Sequence, residues 1–156
     1  MTIKYQNVAV LMGGNSNERE ISLESGKAVL KALKSLSIKA QAFDPKFDDL
    51  ARLDQFDCAF ICLHGKDGED GKIQSYLDDI GIKYCGSNSQ SSYLSFNKFK
   101  TKKIWREHNL ITPDFEIYSD QSYQDLTKLY GKTFFIKDTC SGSSNNIFHI
   151  KNNKDF

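Results

Sequence analysis

The chain has 156 residues, of which 39% are hydrophobic and 12% aromatic, enough for one ordinary domain or two small lobes with a real core. This composition excludes a globally disordered chain. The 21 Lys and Arg residues balance 20 Asp and Glu residues, giving a formal net charge of +1. Such a balance provides no broad positive field for nucleic acid or an anionic membrane, so any anion must be bound locally.

The apolar runs of the sequence are short. None approaches the roughly 20 residues that a membrane-spanning helix needs, and the N-terminus lacks the pattern of a signal peptide. We therefore expect no membrane association and a cytoplasmic location. The four cysteines form no C-x-x-C pair, so we expect each to be a small buried hydrophobe rather than part of a disulfide or a metal site.

The first strand and helix can be placed from the sequence. Residues 8–12 form an apolar run closed by Gly13 and Gly14, which predicts a buried strand that ends in a tight turn. The helix that should follow has Ser16 or Asn17 as candidate caps and Glu18 in its positive first turn. Its apolar stripe at helical spacing consists of Ile21, Ala28, Ala32, Leu33 and Leu36.

Further strands and a helix complete the first domain. Residues 39–43 and 58–63 are predicted strands, and Ile73, Leu77 and Ile80 are spaced for the buried face of a helix that Gly81 ends. Strands that alternate with helices predict a Rossmann-like α/β domain with a parallel sheet. We place this domain at residues 1–94.

The remaining residues, 95–156, follow a different pattern. The helical region over 89–108 ends at Thr112-Pro113. A strand at 115–118, a helix at 121–130 and strands at 134–137 and 147–150 should follow it, forming an α+β lobe with an antiparallel hairpin. Two short strands cannot cover their own apolar side chains. The residues expected to need partners from outside this sequence are Phe134, Phe135, Ile147 and Phe148.

Two candidate site residues follow strands of the first domain. Glu18 and His64 come after the predicted strands 8–12 and 58–63, whose carboxyl ends should meet at one edge of the sheet. Glu18 could hold a substrate ammonium or only stabilise the helix dipole. His64 could contact a ligand carboxylate, or a backbone carbonyl could satisfy it. The spaced glycines of a dinucleotide site are absent, and the acidic loop 65–71 lacks the ligand spacing of a calcium loop.

A third candidate lies in the second domain. Lys137 ends a predicted strand and precedes a Ser-rich and Gly-rich loop over 138–146. Backbone N–H groups, hydroxyls and a lysine ammonium together can hold phosphate, although an ordinary hairpin loop has the same composition.

Five segments together resemble the D-alanine–D-alanine ligase family in order and spacing. They are GGNSNEREISLESG at 13–26, LHGKDGEDGKIQ at 63–74, YCGSNSQSSYLSFNK at 84–98, TPDF at 112–115 and FIKDTCSGSS at 135–144. The resemblance implies a pre-ATP-grasp domain followed by an incomplete ATP-grasp subdomain. It also implies ATP-dependent joining of two D-alanines through a D-alanyl phosphate, for peptidoglycan precursor synthesis.

The resemblance implies roles for individual residues. Glu18 matches the residue that holds the first D-alanine's ammonium, and His64 the residue near its carboxylate. Lys98 and Lys137 match the pair that neutralises the ATP phosphates, while Ser143 and Ser144 match the serines near the second substrate and the transferred phosphate. The implied partners are D-alanine and ATP, a homodimer is among the allowed states, and no nucleic acid or membrane is expected.

The sequence also departs from the family pattern. The departures are Asn97, Asp138, Ser141 and Asn146, and Asp138 places a negative charge beside Lys137. Family members are roughly twice as long, and their Mg²⁺ ligands lie in the second half, so the resemblance implies that this chain alone is inactive and holds no metal. The alternative is a truncated, non-enzymatic remnant that binds an amino acid or a partner.

Overall fold

The computed structural model describes residues 5, 7–143 and 146–156 and divides into two compact units, residues 1–93 and 94–156. The first unit contains a four-stranded sheet in the order β2-β1-β3-β4, and every neighbouring pair is parallel. This confirms the predicted α/β class. The strands are β1 (Asn7–Leu11), β2 (Lys39–Phe43), β3 (Cys58–Ile61) and β4 (Lys83–Cys85).

Helices cover both faces of this sheet. The elements of the first unit are α1 (Arg19–Ser35), a 3₁₀ helix (Leu50–Gln55), α2 (Lys72–Asp79) and α3 (Ser89–Phe96), which continues into the second unit. With 17 residues, α1 is the longest helix of the described chain. None of the described helices combines the length and apolar character needed to cross a bilayer.

Strand β1 contributes to the core on both faces of the sheet, because its side chains alternate between the two faces. Ala9 and Leu11 belong to a cluster formed with the 3₁₀ helix and α2, whereas Val8 and Val10 belong to a cluster formed with α1. All four are buried. A strand covered on both faces reads as a continuous apolar run, and for this reason the sequence predicts β1 well.

The predicted apolar stripe of α1 is largely wrong. Ile21 and Leu36 are 52% and 65% exposed, while the buried positions of the helix are Ser22 and Gly26. A Cβ atom added to Gly26 would lie 2.4 Å from Met12 Cβ. The helix therefore approaches the sheet closely along a line of small residues, which a search for large apolar side chains overlooks. Its flanking contacts with the core are Leu23, Val29, Leu30 and Leu33.

The second unit contains α4 (Lys98–Glu107), α5 (Tyr123–Tyr130) and an antiparallel hairpin of β5 (Phe134–Lys137) and β6 (Ile147–Ile150). Its core is formed by Leu126, Phe134 and Ile150, so Phe134 finds its partners within the chain, contrary to prediction. The other three hairpin residues expected to need partners remain exposed, Phe135 at 57%, Ile147 at 38% and Phe148 at 56%.

Two further predictions from the sequence are wrong. The described backbone at 115–118 forms no strand. Phe115 packs edge to face on Phe99 at 5.5 Å, and the Arg106 guanidinium lies 4.2 Å from the centre of the Phe115 ring. Cys58 and Cys62 are buried as expected, but Cys85 and Cys140 are exposed. Cys85 lies in β4 at the edge of the sheet, where a side chain has fewer covering neighbours.

Candidate functional site

A cleft of about 260 Å³ opens in the first unit where β1, β2 and β3 end. The chain runs from β1 to β2 along one face of the sheet and from β2 to β3 along the other face. Open α/β sheets bind ligands at such a switch point. The cleft is lined by residues from all three strand ends, among them Gly14, Ser16, Pro45 and His64. A small molecule bound in this cleft would contact several loops at once.

The two glycines after β1 form a tight turn whose polar groups are used internally. Both have a positive φ, +85° at Gly13 and +72° at Gly14, a conformation that favours glycine. The Gly13 N–H donates to Ser22 Oγ at 2.8 Å, and the Gly14 N–H donates to Asp44 Oδ1 at 3.0 Å. Arg19 donates to the Gly14 carbonyl at 2.8 Å. The turn therefore shapes the cleft without offering these two amides to an anion.

Asp44, the residue after β2, connects this turn to α1. Its carboxylate forms an ion pair of 2.6 Å with Arg19 and also accepts from the Gly14 and Lys46 N–H groups. Partial burial opposes ionisation, but the hydrogen bonds from Arg19 and Gly14 outweigh it and lower the pKa of Asp44. Sequence analysis missed this residue because Asp44-Pro45 reads as an ordinary strand break.

Glu18 stands at the N-cap position of α1, so neither Ser16 nor Asn17 is the cap as predicted. The Ser16 Oγ instead accepts from the Glu18 N–H at 3.2 Å. A Cβ atom added to Gly65 would lie 2.7 Å from Glu18 Oε2. The half-buried Glu18 carboxylate therefore reaches the loop after β3, next to His64.

The His64 ring lies between α1 and its own loop. Ser25 Oγ and His64 Nε2 share a hydrogen bond of 3.3 Å, and Glu69 Oε1 lies 3.9 Å from Nδ1. The His64 carbonyl accepts from Ser16 Oγ at 2.7 Å. The structure thus brings Glu18 and His64 to one side of the sheet, at adjoining loops, and Ser25 orients the ring whichever nitrogen carries the proton.

The loop that carries His64 is held by two further contacts. The Gly65 N–H donates to Glu69 Oε2 at 2.9 Å, and the buried Gln74 donates from Nε2 to the Gly68 carbonyl at 2.8 Å. A side chain at Gly68 would clash with Leu63, because an added Cβ would lie 2.4 Å from Leu63 Cβ. The glycines of this acidic loop therefore allow it to fold back on the end of β3.

In the second unit, Lys98 begins α4 beside the Ser-rich loop. Its N–H donates to the Thr139 carbonyl at 2.8 Å, and its ammonium donates to the Ser141 carbonyl. Asn97 caps the helix by accepting from the Lys100 N–H at 2.9 Å. The Asn at this position, a departure from the family pattern, therefore has a structural role.

Lys137 ends β5, and its ammonium lies 5.4 Å from the centre of the Phe135 ring. Partial burial and the positive charges of Lys137 and Arg106 lower the pKa of Lys102. Three basic side chains therefore lie near one another within this unit. Ser143 is exposed with φ +51°, while Ser144 lies outside the described residues.

Asp138, the other marked departure, organises the start of the loop. Its carboxylate accepts from the Cys140 N–H at 2.9 Å and from the Asn146 side chain at 3.4 Å. These hydrogen bonds, together with the charge of Lys98, lower the pKa of Asp138. Two residues that depart from the family pattern, Asp138 and Asn146, thus interact with each other.

Comparison with known proteins finds D-alanine–D-alanine ligases. A protein-family model described as "D-ala D-ala ligase N-terminus" matches residues 35–87. The D-alanine–D-alanine ligase of Neisseria gonorrhoeae (strain NCCP11945) is 43% identical over 150 residues, which cover 94% of this chain and 49% of that protein. The chain is similar to the N-terminal half of D-alanine–D-alanine ligases over nearly its whole length. It spans about half the length of the curated D-alanine–D-alanine ligases that it matches.

Solved structures of D-alanine–D-alanine ligases share the fold. The ligase from Bacillus anthracis has a TM-score of 0.82 and 30% sequence identity, and the match covers 96% of this chain and 51% of that one. The same ligase complexed with ATP has a TM-score of 0.81 and 28% identity, covering 96% and 52% of the two chains.

The residues that the structure describes contain no group of three or more His, Cys, Asp or Glu side chains that could hold a metal ion.

Proposed function

We propose that this chain supplies the first amino-acid site and part of the ATP site of an enzyme that joins two D-alanines at the expense of ATP. The observation that carries the proposal is that the Glu18 carboxylate reaches Gly65, the residue after His64, which lines the cleft, in a chain whose relatives are D-alanine–D-alanine ligases. Its cofactor, Mg²⁺, would supply charge stabilisation at the phosphates.

Glu18 is proposed to hold the ammonium of the first D-alanine. A carboxylate accepts several hydrogen bonds from an ammonium group, and such charge-assisted bonds are about twice as strong as neutral ones. The half-buried position of Glu18 reduces the competition from water. His64, oriented by Ser25, is proposed to lie near the carboxylate of the same substrate and to fix which end of the amino acid faces the reaction.

Lys98 and Lys137 are proposed to neutralise the phosphates of ATP. Phosphoryl transfer and an acyl phosphate need positive charge and fixed donors where negative charge develops. The position of Lys102 near Lys137 adds to the positive potential within this unit. Ser143 and Ser144 are proposed to donate to the second substrate and the transferred phosphate.

The proposal is tested by measuring the binding of D-alanine and of ATP to the 156-residue chain separately, by isothermal titration calorimetry. Glu18→Gln should weaken D-alanine binding about tenfold or more and leave ATP binding unchanged, since a hydrogen bond to a charged group contributes about 1.5–3 kcal/mol. Lys137→Met should weaken ATP binding and leave D-alanine binding unchanged.

Two matched variants control for the loss of charge. Glu24→Gln changes an exposed carboxylate of α1, and Lys132→Met changes an exposed lysine close to β5 in sequence; both should bind like the native chain. ATP binding that is equally strong in the native chain and Lys137→Met would refute the assignment of Lys137. Equal D-alanine affinity in the native chain and Glu18→Gln would refute the assignment of Glu18.

A further inference from the structure

Ser22 joins the ends of β1 and β3 through one buried hydroxyl. Its side chain has no exposed surface. Its Oγ accepts from the Gly13 N–H at 2.8 Å and donates to the Cys62 carbonyl at 2.7 Å. A single side-chain atom of α1 therefore satisfies one backbone group on each of the two strands whose ends form the cleft.

The hydroxyl stands where the next hydrogen bond of the sheet would form. The Cys62 N–H donates to the Leu11 carbonyl at 2.8 Å, the last backbone bond between β1 and β3. In a parallel ladder of this register, the following bond would run from the Gly13 N–H to the Cys62 carbonyl. Each of those two groups instead forms a hydrogen bond with Ser22 Oγ. The serine separates the strand ends at the point where the cleft begins.

The two separated strand ends lead to the two proposed substrate contacts. Glu18 follows Gly13 by five residues, and His64 follows Cys62 by two residues. A second bond joins the two loops nearer to their tips, since Ser16 Oγ donates to the His64 carbonyl at 2.7 Å. At the base of the loops, the spacing depends on whether Gly13 and Cys62 bond directly or through Ser22.

We propose that Ser22 is a positioning residue, which sets the distance between Glu18 and the His64 loop by inserting its hydroxyl into the β1–β3 ladder. This inference rests on the proposed function for its consequence in D-alanine binding. Removing the hydroxyl lets the strand ends close or leaves two buried polar groups unsatisfied, and either change displaces Glu18 from Gly65.

The test compares Ser22→Ala with Ser92→Ala in the 156-residue chain. Ser92 is also buried in the first unit and donates through its hydroxyl to the Ser87 carbonyl, so the control deletes the same atom away from the cleft. The first readout is the NMR contact between the Glu18 side chain and Gly65 in the ligand-free chain. The second is D-alanine affinity, measured where circular dichroism shows each variant to be folded.

Ser22→Ala should lose the Glu18–Gly65 contact and weaken D-alanine binding about tenfold, while Ser92→Ala should keep both. An unchanged contact in Ser22→Ala, an unchanged affinity, or equal losses in both variants would overturn the inference. If the native chain binds no D-alanine, the proposed function fails, and the ligand-free contact still decides the role of Ser22. If Ser22→Ala does not fold, Ser22→Cys replaces it, because it keeps the shape with a weaker donor.

Discussion

Arg19 and Asp44 connect the first turn of α1 to the end of β2 through two hydrogen bonds, of 2.6 Å and 3.1 Å, between guanidinium and carboxylate. Both side chains are about four-fifths buried, with 21% and 17% exposed. The pair also holds both polar groups of Gly14, since Arg19 donates to its carbonyl and Asp44 accepts from its N–H. It therefore fixes the turn that precedes Glu18.

Asp44→Asn should lower the free energy of unfolding by about 1–3 kcal/mol at neutral pH, because Arg19 loses a charged partner. The folded state holds the pKa of Asp44 below its ordinary 3.8, so the unfolded chain binds this proton more tightly. The contribution of the Asp44 charge to the free energy of unfolding is therefore complete above the ordinary pKa of 3.8. It is lost as the pH falls through the lower pKa of the folded state. Urea denaturation against pH measures it.

The native chain and Asp44→Asn should therefore converge in stability as the pH falls below the ordinary carboxyl pKa and through the lower folded-state pKa of Asp44. Asp54→Asn, at an exposed position of the 3₁₀ helix, should match the native chain near neutral pH. A difference between the native chain and Asp44→Asn that stays constant from neutral to acid pH would show that the charge of Asp44 is not responsible.

Gly65→Ala should displace the Glu18 carboxylate. The new Cβ would lie 2.7 Å from Glu18 Oε2, and Gly65 has φ +68°. Gly81→Ala is the matched control, because Gly81 has φ +73° and an added Cβ meets no atom within 4 Å among the described residues. Through backbone strain, each substitution should lower the free energy of unfolding by about 1–2 kcal/mol, measured by urea denaturation.

Only Gly65→Ala should also weaken D-alanine binding, about tenfold, as expected for losing a charged contact. Calorimetric titration of the two folded variants compares them directly. Equal D-alanine affinities would mean that Glu18 does not need its present position beside Gly65.

Gly26→Ala should destabilise the chain although alanine favours helices. The helix preference alone would add about 0.5–1 kcal/mol to stability. Overpacking opposes it, because the new Cβ would lie 2.4 Å from Met12 Cβ, and such crowding costs about 1–3 kcal/mol. The cost of crowding should exceed the gain in helix preference, so urea denaturation should show a free energy of unfolding lower by about 1 kcal/mol. Lys27→Ala, at the next and exposed position, should change this free energy little. A gain in stability would show that α1 can move away from the sheet.

Lys102→Met should weaken ATP binding modestly. Lys102 interacts electrostatically with Lys137, and a partly exposed charge contributes about 0.3–1 kcal/mol, or roughly a two-fold to five-fold change in Kd. The effect should shrink with added salt. Lys103→Met, at an exposed position one residue further along α4, should have less effect. Equal effects of the two substitutions would mean that the proximity of Lys102 to Lys137 is irrelevant to nucleotide binding.

The sequence predicted those parts of the fold in which apolar patterning and chain-breaking residues agree. Strand β1 reads as a buried run because both faces of the sheet are covered, and Gly81, with φ +73°, follows α2 as predicted. Strand β4, Lys83–Cys85, was missed because its three residues carry no such pattern. It forms because the edge of β3 is available for pairing.

The candidate site was predictable only in part. The rule that parallel strands end at one edge of a sheet placed Glu18 and His64 near each other. The groups that hold them could not be read from the sequence, because Ser22 and Asp44 act across separations of 40 and 30 residues. A serine within a helical pattern and an aspartate before proline are common features, and only the fold brings them to the cleft.

A crystal structure of the 156-residue chain grown with saturating D-alanine tests the central claim most directly. We predict the amino acid in the cleft at the ends of β1 and β3, with its ammonium about 3 Å from the Glu18 carboxylate and its carboxylate toward His64. D-alanine bound elsewhere on the chain, or a cleft without D-alanine under those conditions, would contradict the account.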